Sequence, residues 1–245
     1  MDKIRIFIGS SANGEDKVAE MAYEYSIRKN TSRDVEIVWM RQTKDKDSFW
    51  SQFDTSSWAT PFSGFRWGIP EYCNFEGRAI YTDADMLNFC DMGELFDLDM
   101  GDNWVLARPG VRFGREMCVM LLDCSKFKNV EFPSKSKPKY HGKVYNWLAN
   151  GAGKKLVGDL DPAWNSLDGE TMPFKQLHYT NMRTQPWHPT WFNGKHAPHA
   201  IPELERLFWD TVKEAHEAGY HEDDYDPKLE EGFEEIPFTS IQRRY

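Results

Sequence analysis

Ile4-Arg5-Ile6-Phe7-Ile8-Gly9-Ser10-Ser11 opens the chain as a β-branched, apolar run broken by a glycine-serine turn. From Glu15 the period changes. Val18, Met21, Ala22 and Tyr25 fall at i, i+3, i+4 and i+7, which is one face of a helix. Val35 to Met40 is apolar and β-branched again. Strand, loop, helix, strand is the opening unit of an α/β fold, whose buried parallel strands read as near-continuous apolar runs.

Outward from that unit, Arg78–Thr82, Trp104–Arg108 and Cys118–Leu122 are further strand-like segments. A helix is expected through Val144 and Leu148, ended by the glycines at 151 and 153. Ile201–Gly219 carries the clearest helical pattern: Pro202 suits a first turn, Leu204, Leu207, Phe208, Val212 and Ala215 form the stripe, and Gly219 is a stop. Residues 41–64 are polar and aromatic with no clean period. The expected architecture is one Rossmann-like α/β domain over residues 1–220. Its central sheet is mixed, mostly parallel and flanked by helices. An acidic, loosely attached tail would follow over 221–245.

The composition narrows the function. With 40% hydrophobic residues, 10 Trp and 16 Phe, the chain has ample material for a core. A net charge of −9 argues against a bulk phosphate binder. No stretch approaches the roughly 18 apolar residues of a membrane span, and the N-terminus has no apolar signal core. Cys73, Cys90, Cys118 and Cys124 show no CxxC or zinc spacing, and the last three sit in apolar surroundings as buried thiols would. A cytoplasmic enzyme or binding protein is expected.

Paired acids are frequent: D-x-D occurs at 45/47, 83/85, 97/99, 159/161 and 224/226, so the bare motif carries no information. Asp83-Ala84-Asp85 stands apart because it follows the apolar run Ala79-Ile80-Tyr81. Two carboxylates at the end of a buried strand are expensive unless something cationic meets them. That edge is also where open α/β sheets bind ligands. Hard oxygen donors there suit Mg²⁺ or Mn²⁺ bridging to a diphosphate.

Arg66-Trp67-Gly68-Ile69-Pro70-Glu71, followed by Gly77-Arg78-Ala79-Ile80-Tyr81-Thr82-Asp83-Ala84-Asp85, resembles glycosyltransferases of family 8 and related DxD-motif enzymes of GT-A fold. Cys118–Asp123 resembles the family's central strand, Leu160–Asn165 its LPxxWN loop, and Leu177-His178-Tyr179-Thr180 with Gln185-Pro186-Trp187 its C-terminal segment. The resemblance implies a metal-dependent glycosyltransferase taking a nucleotide-sugar, by default a UDP-sugar, with retention of anomeric configuration. It implies Mn²⁺ or Mg²⁺ held by Asp83, Asp85 and His178, with Arg66 acting on the donor. Gly9 and Ser10 resemble the loop for base and ribose, and Ala84 lies between the two acids of the donor motif.

The pattern also departs from the family. Gln185 stands where the family has a phosphate-binding Lys, and Arg183 is the nearby cation able to replace it, through a bidentate phosphate contact. Glu116-Met117-Cys118 replaces the family's NSG or NAG, and its acid-Gln-acid site falls on His141-Gly142-Lys143. The acceptor is open: a saccharide, a protein, a lipid-linked sugar or a modified nucleobase. Lys135, Lys137, Lys139 and Lys143 form either a grip for acceptor phosphates or a solvated loop. His188, His196 and His199 with Trp187 and Trp191 form either an acceptor groove or a packed aromatic loop. Two competing functions are a nucleotidyltransferase, disfavoured because no base follows Gly9 until Lys17, and a catalytically vestigial sugar-nucleotide-binding protein.

Overall fold

The computed structural model describes residues 3–43, 45–55, 58, 60, 62–110, 114–129, 140–170, 173–188 and 196–229. The sequence-predicted opening is present: β1 (Ile4–Gly9), α1 (Lys17–Asn30) and β2 (Val35–Met40). A short helix α2 (Ile69–Tyr72) precedes β3 (Arg78–Asp83), and β4 (Met86–Asn88) and α3 (Met92–Phe96) follow it. Next come β5 (Val105–Pro109), β6 (Arg115–Asp123), α4 (Tyr140–Ala149) and β7 (Val157–Asp159). β8 (Ser166–Leu167), β9 (Gln176–His178) and α5 (Pro202–Glu217) complete the described elements.

Six strands form the main sheet in the order β2-β1-β3-β6-β5-β7. β1 pairs in parallel with β2 and β3, and β7 with β5. β6 is antiparallel to both of its neighbours. Five strands therefore run one way and β6 alone is reversed, which gives the mixed, mostly parallel sheet expected. The reversal brings the start of β6 to the same edge as the end of β3. Asp83 and the segment Glu116–Cys118 are neighbours for that reason.

Alternation along the strands divides the core. Phe7, Ala79 and Tyr81 face one side, beneath α4 and the chain from Phe49 to Ile69. Ile4, Ile6, Ile8 and Ile80 face the other, beneath α1 and α3. The aperiodic residues after β2 owe their order to ring packing. Phe49, Trp50, Phe53, Trp58 and Phe65 meet in a chain of edge-on and tilted contacts. A helical or strand period is not needed when rings supply the burial.

A second sheet, β4-β9-β8, has no counterpart in the sequence reading, because strands this short carry no period. It packs with α1 and α5 through Leu87, Leu177, Ala22, Leu204 and Phe208. Of the acidic segment from His221, expected to hang loosely, residues 221–229 are described, and in these Tyr225 and Pro227 are buried. Tyr225 is buried edge-on against Trp39, and Lys17 pairs with Asp223 at 2.7 Å. Charge alone pointed to solvent, and one aromatic ring reverses that. Among the described residues no helix is long and apolar enough to cross a membrane.

Phe7 sits mid-strand at the sheet centre with its ring against Trp50 and Tyr72. Phe7→Ala is expected to lower the unfolding free energy by about 3–5 kcal/mol, read from a urea melt. An effect below about 1 kcal/mol would place the core elsewhere.

Candidate active site

β3 delivers Asp83 to the sheet edge and the next residues, Ala84 and Asp85, turn the chain into β4. β4 pairs antiparallel with β9 in the register Met86↔His178, and Tyr179 N–H donates to the Asp85 carbonyl at 2.9 Å. This small sheet brings His178 to the acids across more than ninety residues of chain. His178 Nε2 lies 3.1 Å from Asp85 Oδ1. Asp83, His178 and Cys118 present ligand atoms all within 4.8 Å of one another.

Asp83 is held by buried donors. The Tyr81 hydroxyl donates to Asp83 Oδ1, and Arg66 Nη2 lies 3.3 Å from the same oxygen. Arg66 also donates through Nε to Ser63 O at 2.8 Å and through Nη1 to Met117 O. Its guanidinium stands over the Tyr81 ring, 4.3 Å from the centroid. Burial opposes its charge, yet the oxygens of Tyr81 and Asp83 outweigh that and raise its pKa. Arg66 thus ties Asp83 to β6 with each guanidinium nitrogen engaged. Gly9 is the residue that permits the arrangement: a Cβ there would stand 3.0 Å from the Tyr81 hydroxyl and 2.9 Å from the Phe62 ring.

The far side of His178 fixes the orientation of its ring. Nδ1 is 2.9 Å from the Asn165 side-chain amide, which leaves Nε2 facing Asp85 Oδ1. Either a hydrogen on Nε2 or a metal ion in its place joins the imidazole to this carboxylate oxygen. Burial would lower the His178 pKa, but the carboxylates of Asp85 and Asp83 outweigh it and the net shift is upward. A proton can therefore occupy the place that a metal ion would take. Two carboxylates and an imidazole with its other nitrogen held by the Asn165 amide are a fitting donor set for Mn²⁺ or Mg²⁺.

Several residues without an assigned role in the sequence reading hold this site. Asn165 fixes His178, and buried Arg108 in turn fixes Asn165 through its backbone oxygen. Arg108 also meets Glu170 through two nitrogens and Glu116 at 3.4 Å. Its place after the apolar residues of β5 was the available signal. Cys118, read as a buried structural thiol, is instead half-buried beside Asp83. Burial first and then the Asp83 carboxylate push its thiol pKa well up.

The remaining expected residues have these positions. Ser10 is buried, and its hydroxyl turns inward to Glu20, which pairs with Arg41. Gln185 is buried and donates to Asp85 Oδ2 at 3.0 Å and to Tyr179 O at 2.7 Å. It steers an acid and has its amide committed within the protein. Arg183 is exposed on the turn before it. Trp187 is buried against Tyr179 and Phe208 and donates to Asp16 at 2.8 Å. Asp16 is raised well above the usual carboxylate range by burial and by Glu15. His188 is buried and pushed down to about 4 by burial and by His196. His196 meets Gln185 O, and His199 meets Ile201 O and the Tyr179 ring. The packed aromatic loop, rather than an open groove, describes these residues. Lys143 is exposed on α4. Lys135, Lys137, Lys139, Trp191 and the tail beyond Leu229 lie outside the described residues.

No family model matches the chain. In sequence it is similar to Protein CDI of Arabidopsis thaliana, 26% identical over 249 residues, which covers 87% of this chain and 91% of that one. In structure it is similar to the galactosyltransferase LgtC, solved with donor and acceptor sugar analogues, at a TM-score of 0.59 and 13% identity over 86% of this chain and 96% of that one. The bifunctional glycosyltransferase WbbM gives 0.59 and 13% over 88% of this chain. The fold is GT-A. This chain spans about half of WbbM, 51% of its length.

If the cluster holds a divalent metal ion, Asn165→Ala is expected to weaken its binding about 10- to 100-fold, because the imidazole loses its orienting partner. Titration calorimetry reads this, with a cooperative thermal melt as the check on folding. Unchanged affinity would remove Asn165 from the site.

Proposed function

We propose that the chain is a metal-dependent glycosyltransferase that moves a sugar from a nucleotide-sugar, by default a UDP-sugar, to an acceptor with retention of configuration. One observation carries the reading. The pair Asp85 Oδ1 and His178 Nε2, 3.1 Å apart beside Asp83, sets two carboxylates and an imidazole together at the end of β3 in a GT-A sheet, a donor set suited to a divalent metal ion.

Asp83, Asp85 and His178 would hold Mn²⁺ or Mg²⁺, which when bound neutralises the diphosphate as it leaves. Arg66 and Tyr81 keep Asp83 in place, Gln185 keeps Asp85, and Asn165 keeps His178. Arg183, exposed on the 181–184 turn, supplies the phosphate contact given elsewhere by Lys, since Gln185 is occupied with Asp85. Gly9 and the loop after it receive the base and ribose through backbone groups, because the Ser10 hydroxyl points inward. Glu116 is engaged with Arg108, so the acceptor side differs in chemistry from the family resembled.

Mn²⁺ with UDP is expected to raise the melting temperature more than either alone. The corresponding stabilisation is about 2.7 kcal/mol at a hundredfold excess over Kd. Asp85→Asn should abolish the joint shift while the unliganded protein still melts cooperatively. Equal joint shifts in both proteins would overturn the metal assignment. A screen of nucleotide-sugars for Mn²⁺-dependent hydrolysis, with the anomer of the released sugar read by NMR, tests donor and stereochemistry. Arg183→Ala should raise the donor KM several-fold, and normal kinetics would assign the phosphate to backbone amides.

A further inference from the structure

Cys118 has a position that the oxygen-and-nitrogen site does not use. The reversed strand β6 brings its start to the end of β3, and the register Thr82↔Val119 sets Cys118 beside Asp83. Its sulfur, an Asp83 oxygen and a His178 nitrogen are mutually within 4.8 Å. Asp85 joins this group through His178. The other thiols lie outside this group: Cys73 and Cys124 are buried, and Cys90 is half-buried.

A carboxylate, an imidazole and a thiol converging on one point match the donor types of Zn²⁺ and its relatives. Oxygen donors suit Mg²⁺ and Mn²⁺, whereas imidazole and still more a thiolate move preference toward Zn²⁺, Co²⁺ and Cd²⁺. His178 is anchored by Asn165 with Nε2 turned inward, and its side chain is only 6% exposed, so the centre is preorganised for an ion.

We propose that Cys118 is a further ligand of this centre, and that its sulfur raises the affinity for Zn²⁺, Co²⁺ and Cd²⁺ relative to Mg²⁺ and Mn²⁺, which the carboxylates and imidazole still bind. On binding, the S–H bond breaks, its proton leaves to solvent, and the sulfur electron pair forms the bond to the ion. No electron is transferred. The inference rests on the metal-binding reading of Asp83, Asp85 and His178 and specifies how the ion preference of that centre is tuned.

Co²⁺ added to the full chain under reducing conditions is the direct probe. Expected are ligand-field bands together with an intense near-ultraviolet sulfur-to-cobalt charge-transfer band. The band should vanish in both Cys118→Ser and Cys118→Ala and persist in the Cys73→Ser/Cys124→Ser double variant. Cys118→Ser keeps a hydroxyl of similar size beside Asp83, so it separates ligation from packing and serves where the alanine variant misfolds. Competition titration should show the preference for Zn²⁺ over Mn²⁺ falling roughly tenfold or more in Cys118→Ser. Bound Co²⁺ with ligand-field bands but no charge-transfer band in the wild type would overturn the role of Cys118 and leave the carboxylate–imidazole site standing. A band that persists in both Cys118 variants would overturn it too, by placing the ion at other thiols. Failure of Co²⁺, Zn²⁺ and Mn²⁺ alike to bind would overturn the metal reading itself.

Discussion

A carboxylate at the end of a buried strand is stable only where protein donors replace the water it has lost. In this molecule the replacement is Arg66. Its guanidinium binds Asp83 on β3, the Met117 carbonyl on β6 and the Ser63 carbonyl in the aromatic segment. Because the three partners belong to separate stretches of chain, the residue that stabilises the acid also fixes the approach of β6 to β3. Arg66 is itself buried between the fully buried Phe65 and Trp67, with its guanidinium over the Tyr81 ring.

The second half of the site is built outward from His178. Asn165 orients the imidazole, Arg108 holds the Asn165 backbone, and Glu170 and Glu116 hold Arg108. The chain of contacts crosses from the short 3₁₀ turn at Pro162–Asn165 to the end of β5 and the start of β6. Gln185 performs the matching service for Asp85, while Trp187 reaches across to Asp16 ahead of α1. The C-terminal segment thereby touches both the acid pair and the loop after β1. A change in how that segment sits would be felt at both places.

The order of strong local signals was legible in the sequence: β1, α1, β2, β3, β6 and α5 each have a clear period or an apolar run long enough to require burial. The paired acid after an apolar strand was a local signal for Asp83 and Asp85, while His178 was singled out only through the family resemblance, and the structure sets it 3.1 Å from Asp85. The β4-β9-β8 sheet was not legible. Strands of two or three residues have no measurable period, and their pairing is decided by the partners they meet. Residues 49–65 were not legible either, since ring-on-ring packing has no sequence spacing.

The sequence alone determined an α/β chain with acids at the end of a buried strand, because burial of apolar runs and the expense of uncompensated charge are properties of local composition. Tertiary structure decided what those acids face. It took the reversed direction of β6 to set Cys118 beside Asp83 and to give Arg66 its anchor on Met117. It took the register of β4 against β9 to set His178 against Asp85. It turned Ser10 inward and committed Gln185 to Asp85, and it docked Tyr225 where charge suggested a free tail. The physical reason is common to all of these. Residue type and spacing fix what a segment must bury, whereas hydrogen-bond partners and cation ligands depend on which distant backbone arrives alongside.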